Sequence, residues 1–397
     1  MFKSPLTKPT YFYPNNPTKT KQEISFLAKK KKTYDFFQSK SGDQITKIAG
    51  FVGANASEKT NIMRLFSFLR YFVCESSKSD SLPGPEIVFK TFFNNNKKSN
   101  FYIEFENGNS IYFYEFSVKE NKIINEILSV KRIKKGSKKT EVFSRQLNNT
   151  ISMSGIFFKD FPKNFMKNIR QDVSLIAFLK SHYSIDIIDD VFGYFARMET
   201  NINERGQINN PIHQVKTIDF YEKNNVIKKE IEDFIRHFDV GLETFEIKKE
   251  TKDNEVKMSI SGIHTSKEKN NKLDFSYESR GTQSLFFTIA NILKALKNNS
   301  VVIIDEMEFG FHPEALSKLI GYFINENKDG KAQIIFSSHS LGFMNRLDMH
   351  QIFLTEKDVN GASIAYRLNK VEGIRTDENF FSKYMTGAYG AFPKIEV

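Results

Sequence analysis

Eight residues, Gly53-Ala-Asn-Ala-Ser-Glu-Lys-Thr60, stand between a short β-compatible run, Ile45 to Val52, and an apolar helical repeat. They nearly match the phosphate-loop pattern G-x-x-x-x-G-K-[ST]. In such a loop, backbone N–H groups and the start of the following helix surround phosphate oxygens. Lys59 would reach the β- and γ-phosphates, and Thr60 would offer its hydroxyl to Mg²⁺. Glu58 stands where the pattern has its second glycine. A carboxylate there would repel a polyanion by roughly 4 kcal/mol at about 4 Å and an effective dielectric of about 20. It escapes that term by turning out of the loop onto a nearby lysine or arginine. The other outcome is that the missing glycine keeps phosphates away and the site stays empty.

Three more segments carry chemistry. Val301-Val-Ile-Ile-Asp-Glu306 is an apolar strand that ends in two acids, the arrangement of a Walker B element. Asp305 would help hold Mg²⁺ and Glu306 would polarise the attacking water; a plain buried strand reaching an acidic loop reads the same way. Gln333-Ile-Ile-Phe-Ser-Ser-His339 ends a second strand of this type. His339 is placed either to contact a γ-phosphate or to sit satisfied at a strand end. In Glu278-Ser-Arg-Gly-Thr-Gln-Ser284, Ser279 and Gly281 begin a helix whose first N–H groups could meet an anion. A simple helix cap accounts for them equally well.

The elements that must position these residues follow from periodicity. Ile62, Leu65, Phe66, Leu69 and Phe72 share one helical face after the loop. Residues 99–116 form a hairpin about Asn107-Gly108-Asn109, with strand character continuing to Val130. The region 155–238 is helical, interrupted by a loop from Asn201 to Pro211, and Ile227, Ile231, Phe234, Ile235 and Phe238 form its clearest stripe. Strands return at Phe245 and Val256, separated by the turn Thr251 to Asn254. A helix with Leu285, Phe286, Ile289, Ile292, Leu293 and Leu296 then leads into Val301–Ile304. A helix with Leu316, Leu319, Ile320 and Phe323 leads into Gln333–Phe336, and a strand from Gln351 to Leu354 follows. Short continuous apolar strands between helices mean strands buried on both faces, hence an α/β sheet. Clear order is expected to begin at Ile45. Three parts are expected: 1–154 with the phosphate loop and antiparallel strands, 155–240 as a helical insertion, and 241–397 with the remaining motifs.

Composition bounds the rest. The 397 residues contain 40% hydrophobic and 26% charged side chains, enough for a buried core. One cysteine, Cys74, excludes an intrachain disulfide and a multi-cysteine zinc site, and reads as a small buried side chain. No apolar run reaches the ~18 residues of a membrane span and no signal-peptide core is visible, so a cytoplasmic protein with no membrane partner is expected. The net charge of +11 permits an acidic partner without identifying one. Six cations lie in Lys131-Arg-Ile-Lys-Lys-Gly-Ser-Lys-Lys139, at a hairpin tip that either touches a nucleic-acid backbone or is a solvated loop. The lysine run Lys29 to Lys32 reads first as a solvated surface segment.

Taken in order, the phosphate loop, serine-glycine helix start, double acid and strand-end histidine resemble the ABC-type ATPase heads of structural-maintenance and Rad50-like proteins. The phrases Gly-Ala-Asn-Ala-Ser-Glu-Lys-Thr-Asn, Glu-Ser-Arg-Gly-Thr, Asp-Glu-Met-Glu-Phe-Gly-Phe-His-Pro and Ser-Ser-His-Ser look most like the AAA15 group of prokaryotic ATPases of abortive-infection and other anti-phage systems. The resemblance covers roughly 45–75 and 270–360. It implies an α/β ABC-type P-loop head with mixed sheets flanked by helices and an inserted, largely helical subdomain. It also implies ATP and Mg²⁺ as ligands. Gly53, Asn55, Ala56, Ser57, Glu58, Lys59, Thr60 and Asn61 would contact nucleotide, and Thr60 and Asp305 the metal. Glu306 would be the catalytic base and His339 the γ-phosphate sensor. Ser279 and Gly281 would reach the nucleotide of the opposite protomer in a homodimer or higher even-numbered oligomer, with Glu308, His312 and Pro313 near that interface. The glutamine loop of such heads has no secure place in the sequence. The stretch after His339 is too short for an appended Toprim-type nuclease, so any nuclease or toxin is expected in a separate effector protein. A P-loop kinase or GTPase fits less well, because it lacks the serine-glycine helix. A nucleotide-binding scaffold with little turnover, on account of Glu58, and a nucleic-acid-binding ATPase of repair type are the other readings.

Overall fold

The computed structural model describes residues 10–13, 22–29, 33–78, 96–148, 150–159, 161, 169–203, 206–208, 211–236, 242–252, 255–266, 269–310, 312–358 and 361–392. Lys30 to Lys32 and Phe238 lie outside them, as does part of the Thr251 to Asn254 turn. The chain begins with β1 (Thr10–Tyr13), β2 (Gln22–Ile24), β3 (Phe36–Gln38), β4 (Gln44–Thr46) and β5 (Ile48–Gly53), followed by α1 (Lys59–Cys74). Next come β6 (Ser99–Asn107), β7 (Ser110–Lys119), β8 (Lys122–Arg132), β9 (Thr140–Gln146) and β10 (Ile151–Met153). Helices α2 (Leu175–His182) and α3 (Asp186–Ala196) precede three two-residue strands, β11 (Glu199–Thr200), β12 (Ile202–Asn203) and β13 (Gly206–Gln207). Then follow α4 (Pro211–Glu222), α5 (Asn225–Arg236), β14 (Leu242–Lys252), β15 (Glu255–Ser266) and β16 (Lys269–Asp274). The last third holds α6 (Arg280–Asn298), β17 (Val301–Ile304), α7 (Pro313–Glu326), β18 (Gln333–Ser337), β19 (Ile352–Lys357), β20 (Ser363–Arg367) and α8 (Phe380–Met385).

The central sheet has six strands in the order β11-β17-β18-β5-β19-β20, parallel except for β20. Its apolar strands serve two cores through the two-residue side-chain period. Phe51, Val301, Ile303, Ile335 and Phe353 face a core shared with α1, α2, α3 and the seven-stranded antiparallel sheet β10-β9-β8-β7-β6-β1-β2. Val52, Val302, Ile304, Ile334, Phe336 and Leu354 face the other core, with α6, α7 and residues of α4 and α5. Each strand end is thereby fixed from both sides, which is what holds the polar residues beyond it in place. Cys74 is buried in the first core, and burial pushes its thiol up to about 12. Among the described residues no helix is long and apolar enough to cross a membrane.

This is the mixed α/β fold with flanking helices and an inserted helical region expected from the sequence. Two local expectations differ. Order starts before Ile45: Ile24 and Phe26 are buried, and β1 and β2 extend the antiparallel sheet at one edge. Three- and four-residue strands carry too little pattern to read, and β6, which joins β1 to the sheet, lies far along the chain. The Asn201 to Pro211 stretch is also more than a loop. Its β12–β13 hairpin packs on α1, while β11, just before it, pairs with β17. The Asn107-Gly108-Asn109 hairpin is present, with Asn107 paired to Ser110 and Gly108 at φ 61°.

Candidate functional site

The loop after β5 is shaped by its neighbours. A Cβ on Gly53 would lie 2.2 Å from the Thr355 carbonyl oxygen on β19, so no side chain fits. Ser57 is buried and its Oγ lies 2.7 Å from Thr355 Oγ1, which ties the middle of the loop to the same strand. Glu58 adopts φ 75°, ψ 24°, the left-handed region that glycine occupies freely. A non-glycine residue there costs on the order of 1–3 kcal/mol. Its carboxylate does turn onto a lysine: Oε1 lies 2.8 Å from Lys357 Nζ, and the other oxygen accepts from Asn61 Nδ2. The backbone therefore takes the shape of the glycine-containing pattern, and the charge has a partner.

Lys59 is only 5% exposed, and its Nζ donates to the carbonyls of Gly53 at 2.9 Å and Ala54 at 3.1 Å. Burial lowers its pKa, opposed by the charges of Glu308, Asp305 and Glu306. Thr60 Oγ1 lies 3.3 Å from Asp305 Oδ1, which also accepts from Ser337 Oγ at 2.5 Å. Ser337 Oγ in turn accepts the Glu306 N–H at 2.8 Å. Glu306, just after β17, has φ 50° and, like Ala56 at φ 60°, is a further strained non-glycine position. Asn55, Ala56, Ser57, Glu58, Lys59, Thr60, Asn61, Arg64, Glu306 and His339 line one cleft of about 510 Å³.

Ser279 and Gly281 are not part of that lining. Ser279 caps α6, its Oγ accepting from the Thr282 N–H at 3.1 Å. Its approach is set by Gln283, whose Nε2 donates to the carbonyls of Phe275, Ser276 and Glu278. A Cβ on Gly281 would lie 2.3 Å from the Gly310 carbonyl oxygen, so the α6 start is pressed on the loop after β17. His312 caps α7 through its ring, with Nδ1 accepting from the Glu314 N–H at 3.2 Å.

Three residues join the site that motif spacing did not indicate. Gln207 Nε2 donates to Glu306 Oε2 at 3.2 Å. Asn201 exchanges two bonds with the Asp305 backbone, at 2.8 and 2.9 Å. Arg64 lies one helical turn beyond Thr60 and lines the cleft beside Gly206. The first two come from the short hairpin region, which has no motif of its own. Arg64 sits at the four-residue helical spacing from Thr60, a signal that was readable.

Among the described residues no group of three or more His, Cys, Asp or Glu side chains could hold a metal ion. The Thr60 hydroxyl and Asp305 carboxylate instead form a two-oxygen set. That set suits Mg²⁺, which takes few protein ligands and completes its octahedron with water and phosphate oxygens.

A 149-residue stretch is 24% identical to an "ATP/GTP phosphatase" of Helicobacter pylori (strain ATCC 700392 / 26695), covering 37% of this chain and 36% of that protein. The chain thus spans about a third of that relative's length. The crystal structure of an Smc head bound to the C-winged helix domain of ScpA overlaps 92% of this chain and 99% of its own, at 13% identity and a TM-score of 0.46. The Smc head from Thermotoga maritima overlaps 91% and 98%, at 14% identity and a TM-score of 0.36. A family profile described as "AAA domain, putative AbiEii toxin, Type IV TA system" matches residues 48–345. The chain belongs to this family of AAA-domain P-loop ATPases linked to abortive infection.

Proposed function

We propose that this chain is an ATP-binding and ATP-hydrolysing ABC-type head. It acts as a cytoplasmic homodimer, or a higher even-numbered oligomer, that senses or regulates a separate effector in anti-phage defence. The observation that carries this reading is the convergence of Lys59, Thr60, Glu306 and His339 on one cleft, with Asp305 directly behind Thr60. On nucleotide binding, Lys59 exchanges its two loop carbonyls for β- and γ-phosphate oxygens. Thr60 and Asp305 would hold Mg²⁺, which would supply charge neutralisation at the phosphates. Glu306, oriented by Gln207, takes a proton from water as the water oxygen bonds to the γ-phosphorus. The bond from that phosphorus to the bridging oxygen breaks, its electron pair leaves with ADP, and the proton passes on to the phosphate product. His339 contacts the γ-phosphate. Ser279 and Gly281, outside this cleft, serve the cleft of the second protomer.

Native mass measurement with Mg²⁺ and a non-hydrolysable ATP analogue tests the assembly. The expected result is a nucleotide-dependent shift from one copy to two, abolished by Lys59→Ala. A species that stays monomeric at micromolar protein with nucleotide bound removes the composite-site reading. Nucleotide-bound protein that dimerises without any turnover favours the scaffold reading instead.

A second reading rests on the charged end of the seven-stranded sheet. Lys131 and Arg132 end β8, and Lys134, Lys135, Lys138 and Lys139 lie in the turn that connects it to β9; all six are exposed. Asn109 joins this turn to another cation: its carbonyl accepts the Ile133 N–H at 2.8 Å and its side chain accepts from Lys40 Nζ at 2.6 Å. Such a surface would bind duplex or structured nucleic acid through phosphates, without sequence preference. Affinity for DNA and tRNA should fall steeply with salt and drop when the six residues are changed to serine. Unchanged affinities would remove this surface as a nucleic-acid site.

A further inference from the structure

Two loops meet beside the cleft, one after β17 carrying Glu306 and one after β18 carrying His339. The Met307 N–H donates to the Ser337 carbonyl at 3.0 Å, and the Glu306 N–H to Ser337 Oγ. The Glu308 side chain also spans the gap. Glu308 Oε1 accepts the N–H groups of His339 and of Ser340, the latter at 3.2 Å. These two amides follow the last residue of β18, where the ladder no longer supplies partners. The carboxylate takes their place, and a hydrogen bond to a charged group is worth about 1.5–3 kcal/mol. Ser340 N–H is also shared with Ser338 Oγ at 3.0 Å, so the turn is held from within and from Glu308. The His339 side chain itself is exposed in the cleft, so its backbone is what aims it.

We infer that Glu308 is a positioning residue for the γ-phosphate histidine: by gripping the N–H groups of His339 and Ser340 it sets where the imidazole stands relative to Glu306. This rests on the ATPase reading above. Glu308 need not touch the nucleotide. It locks the loop that senses the γ-phosphate to the loop that activates water, so the two groups approach a bound triphosphate as one unit. Among the described residues the second oxygen, Oε2, is buried without a hydrogen-bond partner, so the grip runs through a single oxygen. Glutamine retains that acceptor; alanine does not.

The test compares Glu308→Ala, Glu308→Gln, His339→Ala and the Glu308→Ala/His339→Ala double variant with the native protein. Expected is a fall in kcat of about 10²-fold for Glu308→Ala, the scale of a displaced reacting group. The Kd for a fluorescent ATP analogue should change far less than kcat, Glu308→Gln should recover most of the rate, and the double variant should be no slower than His339→Ala. Additive losses, or a Glu308→Gln variant as slow as Glu308→Ala, would overturn the inference. Amide hydrogen exchange without nucleotide gives a separate readout. Glu308→Ala should speed exchange at His339 and Ser340 while Glu308→Gln does not, and unchanged exchange in Glu308→Ala defeats the grip. That measurement decides the inference even if the native protein proves to have no ATPase activity.

Discussion

Glu306→Gln is expected to lower turnover about 10²- to 10⁴-fold, the usual contribution of a positioned general base, while ATP still binds. Glutamine keeps the shape of the side chain and its contact with Gln207, but it cannot accept the proton of the attacking water. The nucleotide contacts assigned to Lys59 and Thr60 are untouched. The variant should therefore accumulate as an ATP-loaded dimer that fails to release phosphate. Single-turnover kinetics alongside equilibrium binding check this. Equal loss of binding and turnover would mean that Glu306 holds the ligand rather than activating water.

The largest effect on stability is expected far from the cleft. Glu126 and Arg145 are both fully buried in the seven-stranded sheet, with Arg145 Nη1 3.7 Å from Glu126 Oε2. Glu126 accepts from the Tyr114 hydroxyl at 2.8 Å and from the Leu175 N–H at the start of α2, and Arg145 donates to the Val173 and Arg170 carbonyls. The pair thus fastens the helical region to the sheet. Arg145→Met should cost about 3–5 kcal/mol, because it strands a buried acid and two carbonyls. Burial already pushes the Glu126 carboxyl up, and Arg145 opposes that. Without Arg145 the folded-state value rises further above the unfolded one. The variant's deficit should then be smallest below the ordinary carboxylate range and grow as pH rises through the raised folded value. Urea denaturation across that range would show it, and a deficit independent of pH would assign the loss to the carbonyls alone.

The sheet around the cleft was legible because its signals are local. Val301–Ile304 and Ile334–Phe336 are uninterrupted apolar runs, and each ends directly in polar residues that emerge at the strand tip. The phosphate loop carries its own spacing, and the ion pair of Glu58 with a cation follows from the cost of leaving the charge bare. What could not be read acts through distant partners. Gln207 and Asn201 reach Glu306 and Asp305 across about a hundred residues, the first from a strand only two residues long and the second from the bend between two such strands. Ser337 looks like an ordinary strand-end serine until the fold sets it between Asp305 and the Glu306 backbone. No periodicity encodes such cross-chain pairs.

The dependence of the phosphate loop on β19 also bears on how the protein is made. Gly53, Ser57 and Glu58 are shaped by Thr355 and Lys357, roughly three hundred residues later in the chain. At about 5–20 residues per second, synthesis leaves this loop without its floor for roughly 15–60 s. The strained turn at Glu58 has neither its ion pair nor its supporting strand during that interval. A nascent chain that stops short of Lys357 therefore has no finished nucleotide site, however complete its other motifs are. On the proposed function, ATP competence is gained only once Lys357 has been synthesised.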